Sequence, residues 1–195
     1  MAELMIDYIT SLDGCGAADD WPGLWGMGGL EYYAFLDEES GIDYRLLMGA
    51  TTYRMFRRFA AAGEDFVDEL TRRPKYVFSS SLTEPLEWEN STLVSGDAVE
   101  AVRRLKQEDV PLRTIGSNSL CRSLLTAGLV DRYRVVVFPV VNGATGRDRM
   151  YEGWPDVSFE VVESRTFDGR LHLLDLKPTV LDSPPGADAS MTADG

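Results

Sequence analysis

Apolar and polar positions along this chain follow two periods, and the switches between them mark the elements. Leu4 to Thr10 is a nearly continuous apolar run with Met5, Ile6, Tyr8 and Ile9, which predicts a strand. Tyr44 to Met48, Lys75 to Phe78 and Thr92 to Val94 read the same way over shorter spans. Helical spacing takes over in Leu30 to Glu39, in the amphipathic segment through Arg57, Arg58 and Phe59, and after SGDAVE. In that last segment Val99, Val102 and Leu105 share a face, and Asp97 and Glu100 stand at capping-box spacing. Leu112 to Val141 is the most informative stretch. Its first apolar run ends at Gly116, where Ser117 and Ser119 can cap a helix; Leu120, Leu124 and Ala127 then recur at helical spacing, and Gly128 sits where a left-handed C-terminal residue is wanted. Tyr133 to Val141 is β-branched and aromatic without alternation, as in a strand covered on both faces. Phe159 to Phe167 and Leu171 to Leu176 are two more strands, joined by the hairpin signal Asp168-Gly169. Strands that alternate with helices in this order predict an α/β domain built on a central sheet.

Two segments stand outside this rhythm. Ser11 to Gly29 is glycine-rich and holds Trp21, Pro22 and Trp25, so it reads as a long loop with aromatic anchors, either a wall or lid over a site or a plug for the core edge. Asn142 to Asp148, NGATGRD, reads as a glycine-rich loop leading into Tyr151 and Trp154. From Asp182 onward the sequence is small, polar and proline-bearing. A single domain over residues 1–181 with a disordered tail at 182–195 is expected.

Composition narrows the partners. A chain of 195 residues that is 44% hydrophobic can bury one full core. The net charge of −13, with no clustered basic face, argues against nucleic acid and anionic membranes as partners. The N-terminus has no signal-peptide pattern and no run approaches the roughly 20 apolar residues of a membrane span, so a cytoplasmic protein is expected. Cys15 and Cys121 lie far apart and His172 has no companions, which speaks against a disulfide framework or a zinc site; no metal is expected.

Candidate chemistry gathers at three strand ends. Gly49, Thr51 and Thr52, then Ser79, Ser80 and Ser81, then Gly116, Ser117 and Ser119 place small hydroxyl residues where a strand ends, and at the first and third a helix starts behind them. Helix N-termini offer unpaired N–H groups to an anion, most often a phosphate, and two such turns suit a ligand with two phosphate-rich ends. Capping alone would favour the same residues. Neither glycine cluster of the loop fits GxGxxG, so the ordinary dinucleotide fingerprint is absent.

SLDG at Ser11 to Gly14, LLMGATTY at Leu46 to Tyr53, the serines after Phe78, IGSNSL at Ile115 to Leu120 and LVDRYRVVVFPVVNG at Leu129 to Gly143 together resemble the dihydrofolate reductase superfamily. The nearer resemblance, up to about Lys177, is to the C-terminal reductase domain of the bacterial bifunctional riboflavin-biosynthesis deaminase-reductase. It implies a three-layer fold with a central mixed sheet of about eight strands flanked by helices and a C-terminal antiparallel hairpin. It also implies a nicotinamide cofactor, NADPH, lying across the strand ends. By that resemblance the nicotinamide lies near Thr10, Ser11 and Gly14, and the pyrophosphate lies between Gly49, Ala50, Thr51 and Thr52 on one side and Gly116, Ser117, Asn118, Ser119 and Leu120 on the other. Adenosine approaches Ser79, Ser80 and Ser81. Many relatives carry an arginine where this chain has Ala50, a residue suited to a ribose 2′-phosphate, so NADH stays open as the cofactor, with Arg54, Arg57 or Arg58 as possible replacements.

Glu31 and Phe35 reproduce the acid and aromatic spacing of dihydrofolate reductases, with Asp37 a rival acid, and Trp25 and Phe35 would wall the substrate pocket. The implied activity is hydride transfer from NAD(P)H to a small electron-poor substrate, a pterin-like or pyrimidine ring or a carbonyl, in a homodimer. Reduction of a ribosylaminopyrimidine is the nearest named reaction, although no basic cluster is clearly reserved for its ribose phosphate. A non-catalytic nucleotide- or flavin-binding module using the same cleft is the alternative.

Overall fold

The computed structural model describes residues 1–21 and 23–187; the last eight positions of the predicted tail lie outside the described residues. In chain order the elements are β1 (Leu4–Ser11), β2 (Cys15–Ala18), α1 (Leu30–Ser40), β3 (Arg45–Gly49), α2 (Ala50–Ala62), α3 (Asp68–Arg72), β4 (Lys75–Phe78), β5 (Ser91–Val94), α4 (Ala98–Leu105) and β6 (Leu112–Thr114). They continue with α5 (Asn118–Thr126), β7 (Arg132–Phe138), β8 (Gly146–Arg149), β9 (Val157–Phe167) and β10 (Leu171–Val180). Eight strands form one mixed sheet in the order β5-β4-β3-β6-β1-β7-β10-β9. It is parallel from β5 to β7, and β10 runs antiparallel to both of its neighbours, β7 and β9.

Crossover handedness sorts the helices. The chain passes from β1 through α1 to β3 and from β3 through α2 to β4, moving toward the β5 edge; through α4 and α5 it moves the other way. Right-handed crossovers therefore set α1 and α2 on one face and α4 and α5 on the other. The cores agree. Val102 of α4 and Leu120 and Leu124 of α5 bury against Leu4, Ile6 and Tyr8. On the opposite face Tyr32 and Phe35 of α1 pack on Val136, Phe138 and Phe167, and Tyr53 of α2 packs on Met48 and Val77.

Several local expectations are met by specific bonds. The Glu100 N–H donates to the Asp97 carboxylate at 3.0 Å, and Gly128 takes φ +64° just after α5. Asp168 (φ 51°) and Gly169 (φ 66°) turn the hairpin, although Arg170 joins them in the connection. Others need correction. The supposed loop from Ser11 to Gly29 contains β2, and the supposed loop NGATGRD runs into β8; the two strands pair antiparallel as a separate ribbon, Cys15 opposite Arg149. Neither CGAA nor GRDR carries a β-branched residue, so the pairing is set by long-range backbone bonding, not by local preference. β7 stops at Phe138, three residues early, because the chain turns away at Pro139.

Candidate active site

The chain leaves β6 in one direction and leaves both of its parallel neighbours, β3 and β1, in the other. β3 and β6 pair side by side, yet the chain leaves β3 toward β4 and leaves β6 toward β7. The crevice between their carboxyl ends is where ligands of open α/β sheets bind. The two glycine turns predicted from the sequence meet there. The Gly49 N–H donates to the Ser117 hydroxyl at 2.6 Å, and that hydroxyl is 2.9 Å from the Thr52 hydroxyl. Their approach is too close for larger residues: a Cβ on Gly49 would lie 2.9 Å from Ser117 Oγ, and one on Gly116, at φ +64°, would lie 3.0 Å from Thr52 Oγ1. Ser117 thus does not cap α5 as its position suggested. It takes φ 69° and spends its side chain on the opposite turn.

Neither α2 nor α5 has a side-chain cap or an acidic residue in its first turn, so the N–H groups at Ala50, Thr51 and Thr52 and at the start of α5 keep their positive field. Asn118 fixes the start of α5 by donating to the Arg149 carbonyl at 3.2 Å, which ties it to the β2–β8 ribbon. Leu120 points into the core, so only its backbone can serve a ligand. At the end of β4 the Ser79 hydroxyl accepts the N–H groups of Ser81 (3.0 Å) and Leu82 (3.1 Å) and fixes the turn through Ser80. Arg54 of α2 reaches this turn, its Nη2 donating to Ser81 Oγ at 3.2 Å, whereas Arg57 pairs with Glu87.

The end of β1 is organised by Asp13, which the sequence did not single out. Thr10 and Ser11 are buried, and the Ser11 hydroxyl donates to Asp13 at 2.6 Å while accepting the Cys15 N–H at 3.0 Å. Asp13 also accepts the N–H groups of Asn142 (3.1 Å) and Gly143 (3.0 Å). The Ser11 hydroxyl and then these two N–H groups hold its carboxyl down at about 2. Asn142 in turn accepts the Trp25 indole N–H at 2.9 Å, and Trp25 packs on Phe138 with ring centres 5.0 Å apart and on Trp21 at 5.2 Å. Leu24 (φ 46°) and Trp25 (φ 47°) are left-handed without being glycine, a strained turn maintained by these contacts. Gly14, at φ +77°, faces the Tyr151 ring, which a Cβ would meet at 3.2 Å.

Phe35 and Trp25 belong to one aromatic cluster, but Phe35 is largely buried against Phe167, ring centres 5.0 Å apart. Glu31 is engaged elsewhere. Asp168 accepts the N–H groups of Glu31 (3.1 Å) and Tyr32 (3.3 Å), and the Glu31 carboxylate accepts the Asp168 N–H, a capping box made between the hairpin turn and α1. Asp37 is exposed on the same helix. His172 is exposed and shares a contact with Thr166. Asp168 was legible only as a turn residue, and Asp13 only as part of a loop.

The profile of the RibD C-terminal domain family matches residues 2–173. The chain belongs to this family. No curated protein matches the chain in sequence. Among solved structures, a protein from Shewanella sp. PV-4 ascribed to riboflavin biosynthesis aligns with TM-score 0.68 and 22% identity, covering 92% of this chain and 99% of that one. The deaminase/5-amino-6-(5-phosphoribosylamino)uracil reductase of Thermotoga maritima aligns with TM-score 0.64 and 17% identity, over 91% of this chain and 57% of that one. Dihydrofolate reductase of Enterococcus faecalis, solved with NADP(H), aligns with TM-score 0.58 and 13% identity over 91% of this chain and 96% of its own. The fold is dihydrofolate-reductase-like, and the family is that of the reductase domain of riboflavin biosynthesis. Among the described residues no helix is long and apolar enough to cross a membrane.

Proposed function

We propose that this protein is a cytoplasmic NADPH-dependent reductase that delivers hydride to a small electron-poor ring or carbonyl. The observation that carries the reading is the pair of glycine turns interlocked at the β3–β6 crevice, each followed by an uncapped helix with no acid in its first turn. Their backbone N–H groups suit a pyrophosphate. The nicotinamide supplies the hydride. Thr10, Ser11 and Gly14 would flank it at the end of β1, and the Asp13–Asn142–Trp25 chain holds the aromatic wall that excludes water from the reacting ring.

Arg54 favours NADPH over NADH. Its guanidinium stands at the Ser81 turn, where the adenosine end would lie, and it meets a hydroxyl there and no carboxylate among the described residues. Ala50 leaves the usual arginine position empty, and Arg54 brings equivalent charge from one turn further along α2. Glu31 remains the candidate proton donor; it would have to leave the Asp168 N–H to serve a substrate. A homodimer through β9 is part of the same proposal, since this eleven-residue edge strand exposes Phe159, Val161 and Val162.

Steady NADPH oxidation followed by absorbance, with a panel of dihydropterins, aminopyrimidines and carbonyls, tests the reading. Turnover with at least one acceptor is expected. Cofactor binding without turnover across the panel would instead favour a non-catalytic nucleotide-binding module.

A further inference from the structure

The face of the sheet that carries α1 and α2 is covered unevenly. α1 packs on β7 and the hairpin through Val136, Phe138 and Phe167, and α2 packs on β3 and β4 through Met48 and Val77. In the strand order β6 and β1 lie between these two footprints. On β1 the residues that point to α4 and α5, Leu4, Ile6 and Tyr8, are buried, whereas Met5, Asp7 and Ile9 on the α1 side are only partly so. A trough therefore runs between α1 and α2, with Ile9 on its floor and Ser11 next along the same face.

Helix geometry decides what lines it. In α1 the flank turned to the hairpin holds Glu31, Ala34, Phe35 and Glu38, which border a groove with Arg165 and Phe167; the Arg165 guanidinium stands over both phenyl rings there. Tyr33 and Leu36, one turn apart, occupy the other flank, which looks across the trough. In α2 the flank turned to β4 and β5 carries Arg54 and Arg57, bound to Ser81 and Glu87. Met55 and Phe59 hold the flank toward α1. All four of these trough residues are large, apolar and exposed.

Charges close the trough toward the amino ends of the strands. Asp7 pairs there with Arg134 at 2.5 and 3.2 Å, and Glu39 is 2.7 Å from Arg134 and 2.8 Å from Arg113. The other end opens at the carboxyl ends, between Ser11 and the first turn of α2, beside the cofactor crevice. Facing rows of exposed apolar side chains next to such a crevice suit an apolar guest.

Resting on the reductase reading, we propose that the trough between α1 and α2 binds a hydrocarbon group, aryl or alkyl, attached to the hydride-accepting centre of the substrate. Seating that group against Tyr33, Leu36, Met55 and Phe59 removes apolar surface from water on both partners. The thioether of Met55 adapts to groups of varied shape. A protein partner fits less well, because a surface resting on the two rows would leave the floor at Ile9 uncovered.

The test is calorimetric titration of the NADP⁺-saturated protein with benzaldehyde and its 4-methyl, 4-ethyl and 4-butyl derivatives. NADPH binding is measured first; its absence would overturn the cofactor reading and this proposal with it. With cofactor bound, affinity should rise roughly twofold per added carbon, as for a group half-buried against the rows, with an increasingly negative heat-capacity change. In Leu36→Ser/Met55→Ser the rise should vanish, and in Leu36→Met/Met55→Leu, which keeps the apolar surface, it should persist. Affinities that stay level or fall along the series, with NADPH binding intact, would overturn the proposal alone. So would a dimer that Leu36→Ser/Met55→Ser converts to a monomer, since the two rows would then be an interface between copies.

Discussion

At the scale of single residues, two side chains anchor the candidate site: Arg54, one of three arginines the sequence offered in place of the missing one, and Asp13, which the sequence did not single out. Arg54 sits among three arginines of α2 that look alike in the sequence; only the fold turns it onto Ser81 and sends Arg57 to Glu87. Arg54→Gln should weaken NADPH binding by roughly ten- to a hundredfold, the loss expected for a charge-assisted bond of roughly 1.5–3 kcal/mol, while NADH binding is unchanged; nucleotide-fluorescence titration measures both. Asp13 lies in a segment that reads as loop, and its partners Asn142 and Gly143 are more than a hundred residues away, beyond any local signal. Its carboxyl is held at about 2, below the ordinary 3.8, so its contribution is complete above the ordinary value and is lost as pH falls from about 4 toward 2. Tryptophan fluorescence should report loosening of the Trp25 wall in that window, and Asp13→Asn should show the loosened signal already at neutral pH.

At the scale of elements, the strands and helices with strong periodicity were legible, while those defined by a distant partner were not. β4 was read from Lys75 to Phe78 with its observed bounds, because a short apolar run between turn signals is a local property. β2 and β8 escaped because glycine, alanine and charged residues become strands there only by pairing with each other. The Gly49 and Gly116 turns were read correctly as small-residue strand ends, but the bond between them was not, since it joins residues 68 apart. Ser117→Ala would leave the Gly49 N–H without its acceptor and uncouple the turns. A loss of about 1–3 kcal/mol in stability by urea unfolding, together with weaker NADPH binding, is expected. The cap on α1 follows the same logic. Asp168→Ala should cost about 1 kcal/mol, read as a lower melting temperature, because two N–H groups of the helix lose their acceptor.

At the scale of the whole molecule, strand order does what no single motif could. The alternation of elements indicated an α/β sheet, and the loose motifs acquired meaning from their order along the chain; the sheet then placed two of them at the β3–β6 switch point and a third beside it at the end of β4. The overall charge of −13 is spread unevenly: residues 11–40 carry seven carboxylates and neither a lysine nor an arginine. Assembly belongs to this scale as well. If β9 joins two copies, light scattering should give a dimer, and Val161→Lys on the exposed edge should give a monomer that retains its fold by circular dichroism. The crevice between β3 and β6 is tested most directly by thermal melting with NADPH, NADH or buffer alone. A nucleotide at about 100 times its dissociation constant should stabilise the native state by roughly 2.7 kcal/mol, with NADPH effective at lower concentration than NADH. No shift with either nucleotide at millimolar concentration would contradict the assignment of that crevice to a nicotinamide cofactor.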